Sequence, residues 1–222
     1  MFNAIAKKYD FLNCFLSMGI DKWWRRKAIG ELNVLQPQCV LDVATGTADM
    51  ALMIHKVLNP QQLIGIDISE GMLNVGRKKI AQKQLNNKII LQLADSEVLP
   101  FENEKFDAIT VAFGVRNFEN LEQGLQEMQR VLKPSGKIVV LEFSKPKTTI
   151  FKWLYQLYMR SVTPNVGRLI SKNKEAYQYL NNSVQAFPEG DTFVQILQSV
   201  GLKQVYKKTL SFGICTIYVG IK

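Results

Sequence analysis

From residue 39 to residue 143 the chain alternates short runs rich in β-branched residues with amphipathic stretches, and this alternation constrains the fold more than any other feature. "CVLDV" (39–43), "QLIGID" (62–67), "IILQLA" (89–94), "FDAITVAFG" (106–114) and "KIVVLEF" (137–143) read as strands. Between them, "ADMALMIHKVL" (48–58), "SEGMLNVGRKKIAQKQ" (69–84) and "LEQGLQEMQRVLK" (121–133) read as helices. Ser69 is the expected N-cap of the second, and Pro134 with Gly136 the expected stop of the third. Near-continuous apolar strands joined through helices predict a parallel sheet covered on both faces, a doubly wound α/β domain.

The ends of the chain depart from the alternation. "DTFVQILQSVGL" (191–202) predicts a last helix ending at Gly201. "KQVYKKTL" (203–210) and "GICTIYVGIK" (213–222) follow too closely for a helical crossover and should pair as a hairpin. The expectation is a mostly parallel seven-stranded sheet finished by an antiparallel C-terminal strand. Ahead of the first strand, Phe2, Ile5, Ala6, Tyr9 and Asn13 fall on one helical face, so residues 1–35 read as N-terminal helices. Residues 146–188 form an aromatic and basic insertion before the last helix. At 222 residues, with no Pro/Gly/Ser-rich linker, one domain is expected, divided into 1–35, a core over 36–145, the insertion 146–188, and 189–222.

The net charge of +9 is unevenly distributed: +4 over residues 1–30, −3 over 31–144 and +8 over 145–222. Basic flanks suit nucleic acid, an anionic membrane or simple solvation. The N-terminus lacks the apolar core of a signal peptide and no apolar run approaches the ~18 residues of a membrane span, which predicts a cytoplasmic location. Cys14, Cys39 and Cys215 are far apart, and no metal site is expected. The single histidine, His55, falls in a helix body and reads as a partly exposed structural residue.

In a doubly wound sheet, ligands bind beyond the C-terminal strand ends near the switch point. "LDVATGTADM" (41–50) is the loop at that place, with Asp42 at the strand end, Gly46 permitting close backbone approach, and Thr45 and Thr47 supplying hydroxyls. Asp67 ends the second strand, where an acid can accept hydrogen bonds from two ribose hydroxyls. Asp95 and Ser96 end the third and are placed to bracket an adenine. The loop lacks the G-x-G-x-x-G pattern that brings backbone against a pyrophosphate, which favours an adenosine ligand without phosphates.

Taken in order, "MFNAIAKKYDFLN", "WWRRKA", "LDVATGTAD", "GIDISEGML", "LADSEVLPF", "FGVRNF", "EMQRVLKPSGKIVVLEFSKP", "YQYLNNSVQAFP" and "GICTIYVGIK" resemble the menaquinone/ubiquinone C-methyltransferase family over essentially the whole chain. The resemblance implies a Rossmann-like class I methyltransferase fold and S-adenosyl-L-methionine as cofactor. It assigns Thr47, Asp67, Asp95 and Ser96 to that cofactor, joining Asp42 and Gly46 of the loop. Ala48 stands where many members have glycine, and Asp95-Ser96 where others have Asn-Ala or Asp-Ala.

The resemblance also implies methyl transfer to a ring carbon of a reduced polyprenyl quinone, with demethylmenaquinol favoured over a benzoquinol precursor of ubiquinone. Such a carbon is a poor nucleophile until the neighbouring hydroxyl, with a pKa near ~10, loses its proton. Arg116 and Asn117 of "AFGVRNF" are expected to project toward the acceptor, Arg116 serving the developing oxyanion and Asn117 as a second donor. The plainer alternative makes Arg116 exposed and Asn117 the cap of the next helix. Tyr9, on helices folded over the acceptor site, is the expected proton acceptor or positioning group.

A lipid quinol places the substrate in a bilayer, so transient contact with the anionic inner face of the cell membrane through residues 146–174 is expected. There Phe151, Leu154, Tyr155 and Tyr158 share one helical face, and Trp153 and Leu157 another; core packing of that helix is the competing account. Homodimerisation is left open by the residues. No nucleic-acid partner is expected, because the Asn-Pro-Pro-aromatic motif of base-methylating enzymes is absent after the fourth strand. A dinucleotide-dependent oxidoreductase is disfavoured by the missing pyrophosphate loop.

Overall fold

The computed structural model describes residues 19–145 and 182–222. Tyr9, the face from Phe2 to Asn13 and the aromatic faces of residues 151–158 lie outside the described residues.

The first described helix, α1 (Asp21–Gly30), buries Asp21, Trp24, Arg25, Ala28 and Ile29, the i, i+3, i+4, i+7, i+8 stripe of a helix with one inward face. Then follow β1 (Cys39–Val43), α2 (Asp49–Leu58), β2 (Gln62–Asp67), α3 (Glu70–Gln82), β3 (Ile89–Leu93), β4 (Phe106–Ala112), a 3₁₀ turn (Val115–Asn117), α4 (Leu121–Val131) and β5 (Leu132–Phe143). The chain is completed by α5 (Asp191–Ser199), β6 (Lys203–Leu210) and β7 (Cys215–Ile221). Ser69 caps α3 as expected, its hydroxyl accepting from Met72 N at 3.3 Å.

The strands form one sheet in the order β3-β2-β1-β4-β5-β7-β6. Neighbours from β3 to β5 pair in parallel, while β7 runs antiparallel between β5 and β6. The hairpin is therefore folded back so that its second strand is interior and its first is the edge. Composition explains the choice: "CTIYVGI" is buried almost throughout, whereas "KQVYKKTL" offers lysines to solvent, as an edge strand that must not pair further should.

Side chains alternate across the sheet, as the two-residue strand period requires. Leu41, Ile64, Ile109, Ile138 and Tyr218 face α4 and α5, while Val40, Leu63, Ala108, Val139 and Ile217 face α1 and α2. Some helix ends fall short of expectation: α3 stops at Gln82, not Gln84, and α5 at Ser199, not Gly201. α4 ends at Val131, not Lys133, because β5 already begins at Leu132, opposite Phe106. The register then jumps to Ala108↔Lys137, so Pro134, Ser135 and Gly136 form a bulge inside the strand; Ser135 takes a positive φ of 62°.

Candidate functional site: an acidic cavity at the strand ends

β1 pairs with β2 on one side and β4 on the other, so the strand order reverses beside it and leaves a crevice beyond its C-terminal end. A cavity of about 210 Å³ occupies this crevice. A single water needs roughly 10–15 Å³ on the same measure, so the space suits a ligand of nucleoside size.

The loop after β1 has a backbone its sequence conceals. Ala44, Gly46 and Ala48 all take positive φ, at 52°, 58° and 67°. The loop thus carries three left-handed residues at alternate positions with one glycine among them. Ala48, expected to be simply a small residue opening a helix, is a fully buried alanine held left-handed at the N-cap of α2. Phe113, after β4, is a further left-handed residue on the cavity wall, with φ 60°. Non-glycine residues in this region carry strain that surrounding structure must hold; Ala44 and Phe113 line the cavity and Ala48 adjoins it.

Asp67 holds the loop in place. Its Oδ2 accepts from Gly46 N and its Oδ1 from Ser69 N, each at 2.8 Å. Each carboxylate oxygen keeps capacity for a further donor from the cavity. Burial pushes the Asp67 carboxyl above its usual range, opposed by these backbone N–H groups. Asp42 is fully buried, with Oδ2 accepting from Thr45 Oγ1 and Oδ1 from Thr110 Oγ1, both at 2.6 Å. Desolvation raises its pKa to about 6 against those two hydrogen bonds.

Thr47, also buried, accepts at Oγ1 from Lys79 Nζ at 3.1 Å, and the same ammonium reaches Asp49 at 2.6 Å. Asp95 and Ser96 line the far side of the cavity, where Asp95 Oδ1 accepts from Glu97 N at 2.9 Å and so shapes the turn. The structure brings Asp42, Gly46, Thr47, Asp67, Asp95, Ser96 and Asn117 to one cavity wall.

Arg116 is placed otherwise. Its guanidinium turns inward, with Nη1 donating to Glu142 Oε1 and to Phe113 O, both at 2.6 Å, and its Cζ lying 5.4 Å from the Phe143 ring centroid. It is neither an exposed arginine nor a member of the cavity wall. Asn117 does not cap α4 either; Asn120 does, through Oδ1 and Gln123 N at 3.1 Å.

Two residues missed from sequence complete the neighbourhood. Glu142 is fully buried in β5, and an acid inside the apolar run "IVVLEF" was its signal. Arg25 is 7% exposed and lines the cavity from α1; its place on the helical stripe with Trp24, Ala28 and Ile29 was the signal there. His55 is half-buried in the last turn of α2 and is not part of the cavity wall.

The profile of the ubiE/COQ5 methyltransferase family matches residues 1–222. The chain belongs to this family. It is 49% identical over 222 residues to a demethylmenaquinone methyltransferase of Bacteroides fragilis, covering 100% of this chain and 91% of that protein. It is 44% identical over 223 residues to the ubiquinone/menaquinone biosynthesis C-methyltransferase UbiE of Geobacter sulfurreducens, covering 100% and 87%. Among solved structures, a putative S-adenosyl-L-methionine-dependent methyltransferase of Methanococcus maripaludis superposes with a TM-score of 0.72 at 18% identity, over 100% of this chain and 94% of that one. A putative methyltransferase in complex with the Haloferax volcanii Trm112 activator gives 0.73 at 14%, over 100% and 97%. At such identities the likeness establishes the fold, a class I methyltransferase fold.

For a ubiE/COQ5 methyltransferase the chemistry of the cavity fits an adenosyl sulfonium. Asp42, Asp49, Asp67, Asp95, Glu97 and Glu119 face it, and among the described residues Arg25 is the sole cation of the lining. A pyrophosphate would meet repulsion from this wall, whereas a cationic ligand with ribose hydroxyls is attracted to it. Such a wall is also unlike the basic groove that tracks a nucleic-acid backbone. Among the described residues no helix is long and apolar enough to cross a membrane.

Proposed function

We propose that this methyltransferase converts a demethylmenaquinol to menaquinol by methylating a ring carbon, with S-adenosyl-L-methionine as donor. The observation that carries the reading is the full-length 49% identity to a demethylmenaquinone methyltransferase. The bound cofactor would supply an electrophilic methyl on a sulfonium sulfur. Asp67 would hold the ribose hydroxyls, Asp95 and Ser96 the adenine edge, and the Gly46–Thr47 backbone would lie against the ligand; Asp42 would set the loop through Thr45.

Asn117, on the cavity wall, would donate to the quinol oxygen, and Tyr9 would assist its deprotonation. For Arg116 the geometry supports a positioning role. Its guanidinium ties Glu142 to the Phe113 carbonyl and so fixes the turn that carries Asn117. Residues 1–35 would cover the acceptor side, and residues 146–174 would touch the anionic inner face of the cell membrane, where a polyprenyl quinol resides.

Transfer of a labelled methyl group from S-adenosyl-L-methionine to a short-chain demethylmenaquinol and to the matching benzoquinol tests the reading. Turnover with the naphthoquinol is expected; turnover confined to the benzoquinol, or absent with both, overturns it. Glu142→Leu tests the positioning role, because it takes away the acceptor of Arg116 Nη1; turnover of the folded variant should fall, and unchanged turnover would remove the tether from the mechanism.

A further inference from the structure

Arg25 is a cation in an otherwise acidic wall, and the described residues give it no hydrogen-bonded partner. Its nearest acid is Asp21, with Nε and Oδ2 3.7 Å apart, beyond hydrogen-bond range. Nε itself is buried without an acceptor, in a side chain only 8% exposed. The guanidinium Cζ lies 5.2 Å from the centroid of the Phe113 ring, and both residues line the cavity. Asp42 is near enough to feel its charge, but its two oxygens accept from Thr45 and Thr110, and no hydrogen bond joins it to Arg25. A buried guanidinium with free N–H groups is costly to maintain unless an anion completes it.

The direction of the cavity says which anion. Asp67, Asp95 and Ser96, at the ends of β2 and β3, make the nucleoside end, and Arg25 with Phe113 and Gly114 makes the opposite end beside β1 and β4. With its adenine at Asp95 and Ser96 and its ribose at Asp67, a nucleoside would run its 5′ substituent toward Arg25, because β3, β2, β1 and β4 follow one another across the sheet. On the proposed cofactor that substituent is an amino acid, whose one anionic group is the α-carboxylate. We infer that Arg25 binds this carboxylate through its free N–H groups and discriminates against adenosyl ligands that lack it. A guanidinium suits the task because its planar fork matches a carboxylate in two parallel hydrogen bonds.

The inference rests on the proposed cofactor, and calorimetry with two ligands separates the failure of one from that of the other. The probes are S-adenosylhomocysteine and its decarboxylated analogue S-adenosyl-3-thiopropylamine, which keeps the amine. Wild-type protein should prefer the carboxylated ligand by roughly 10- to 100-fold, the range for a charge-assisted hydrogen-bonded pair. Arg25→Gln should abolish that preference while leaving affinity for the analogue within about twofold, and Arg25→Lys should retain part of it. Binding of the analogue also reports that each variant is folded; if Arg25→Gln does not fold, the wild-type preference and Arg25→Lys decide. Equal losses for both ligands, or no loss for either, would mark Arg25 as structural and overturn the inference. Wild-type protein that binds neither ligand overturns the cofactor assignment itself, and the inference with it.

Discussion

Arg116 Nη1 lies 2.6 Å from Glu142 Oε1, in a pair whose side chains are 5% and 0% exposed. Glu142 Oε1 also accepts from Phe143 N at 2.8 Å, so the carboxylate is built into the end of β5. A pair this deep contributes little net stability compared with apolar residues of the same shape, but removing one partner strands the other charge.

Glu142→Ala should therefore destabilise the fold by about 3–5 kcal/mol, read from urea unfolding at pH 7. The double substitution Arg116→Met with Glu142→Leu should recover most of that loss, since neither charge is left behind. Additive losses in the double variant would mean that the two residues act separately, contrary to the geometry.

Much of the sheet was legible because strand pattern and burial follow one rule. "QLIGID" and "KQVYKKTL" become β2 and β6 with the bounds their composition suggests, and the acids at the ends of β1, β2 and β3 meet at one cavity because parallel strands end on the same side. Where the reading stopped, the missing information was three-dimensional. Arg116 carries the same letters whether it faces the acceptor or Glu142, and Glu142 lies 26 residues away on a neighbouring strand. The left-handed Ala44 and Ala48 were hidden for another reason, because alanine gives no local signal for a positive φ.

The apo protein should lose stability as pH rises through Asp42's titration. Its pKa is raised from 3.8 to about 6, chiefly by desolvation. The native state therefore holds this proton more tightly than the unfolded chain, and the stability gained from protonation is full below pH 3.8 and lost as pH climbs through about 6. Asp42→Asn mimics the neutral acid. At pH 8 it should be more stable than wild type by an amount on the order of 3 kcal/mol, and near pH 4 the gap should close. Unfolding at both pH values measures it; a constant gap would remove ionisation of Asp42 as the cause.

Two glycines of the cavity wall should respond differently to alanine. A Cβ on Gly46 would meet nothing within 4 Å, so Gly46→Ala bears only the strain of φ +58°, about 1 kcal/mol. A Cβ on Gly114 would lie 2.5 Å from Ala44 Cβ. Neither methyl can swing aside, so the loops after β1 and β4 must separate, at a cost of roughly 1–3 kcal/mol. Gly114→Ala should show the larger fall in melting temperature and a loss of S-adenosylhomocysteine binding. Gly46→Ala should keep most of its stability.

In the proposed function Asp67 joins cofactor recognition to loop geometry, and two ligands tested on two substitutions divide those functions. Its carboxylate accepts the Gly46 and Ser69 N–H groups with one oxygen each. Asp67→Asn keeps one acceptor oxygen and turns the other position into a donor facing an N–H, so one tether is lost. Asp67→Glu keeps both acceptors on a stem one methylene longer, which displaces them from the backbone groups that hold them. Both variants should bind S-adenosylhomocysteine at least about tenfold more weakly by calorimetry, the equivalent of one charge-assisted hydrogen bond. Adenosine carries the ribose without the amino acid, so its affinity should fall in parallel if Asp67 acts on the ribose. An adenosine affinity left unchanged would move Asp67 from the ribose to the loop alone, and the nucleoside end of the cavity would then have to be anchored by Asp95 and Ser96.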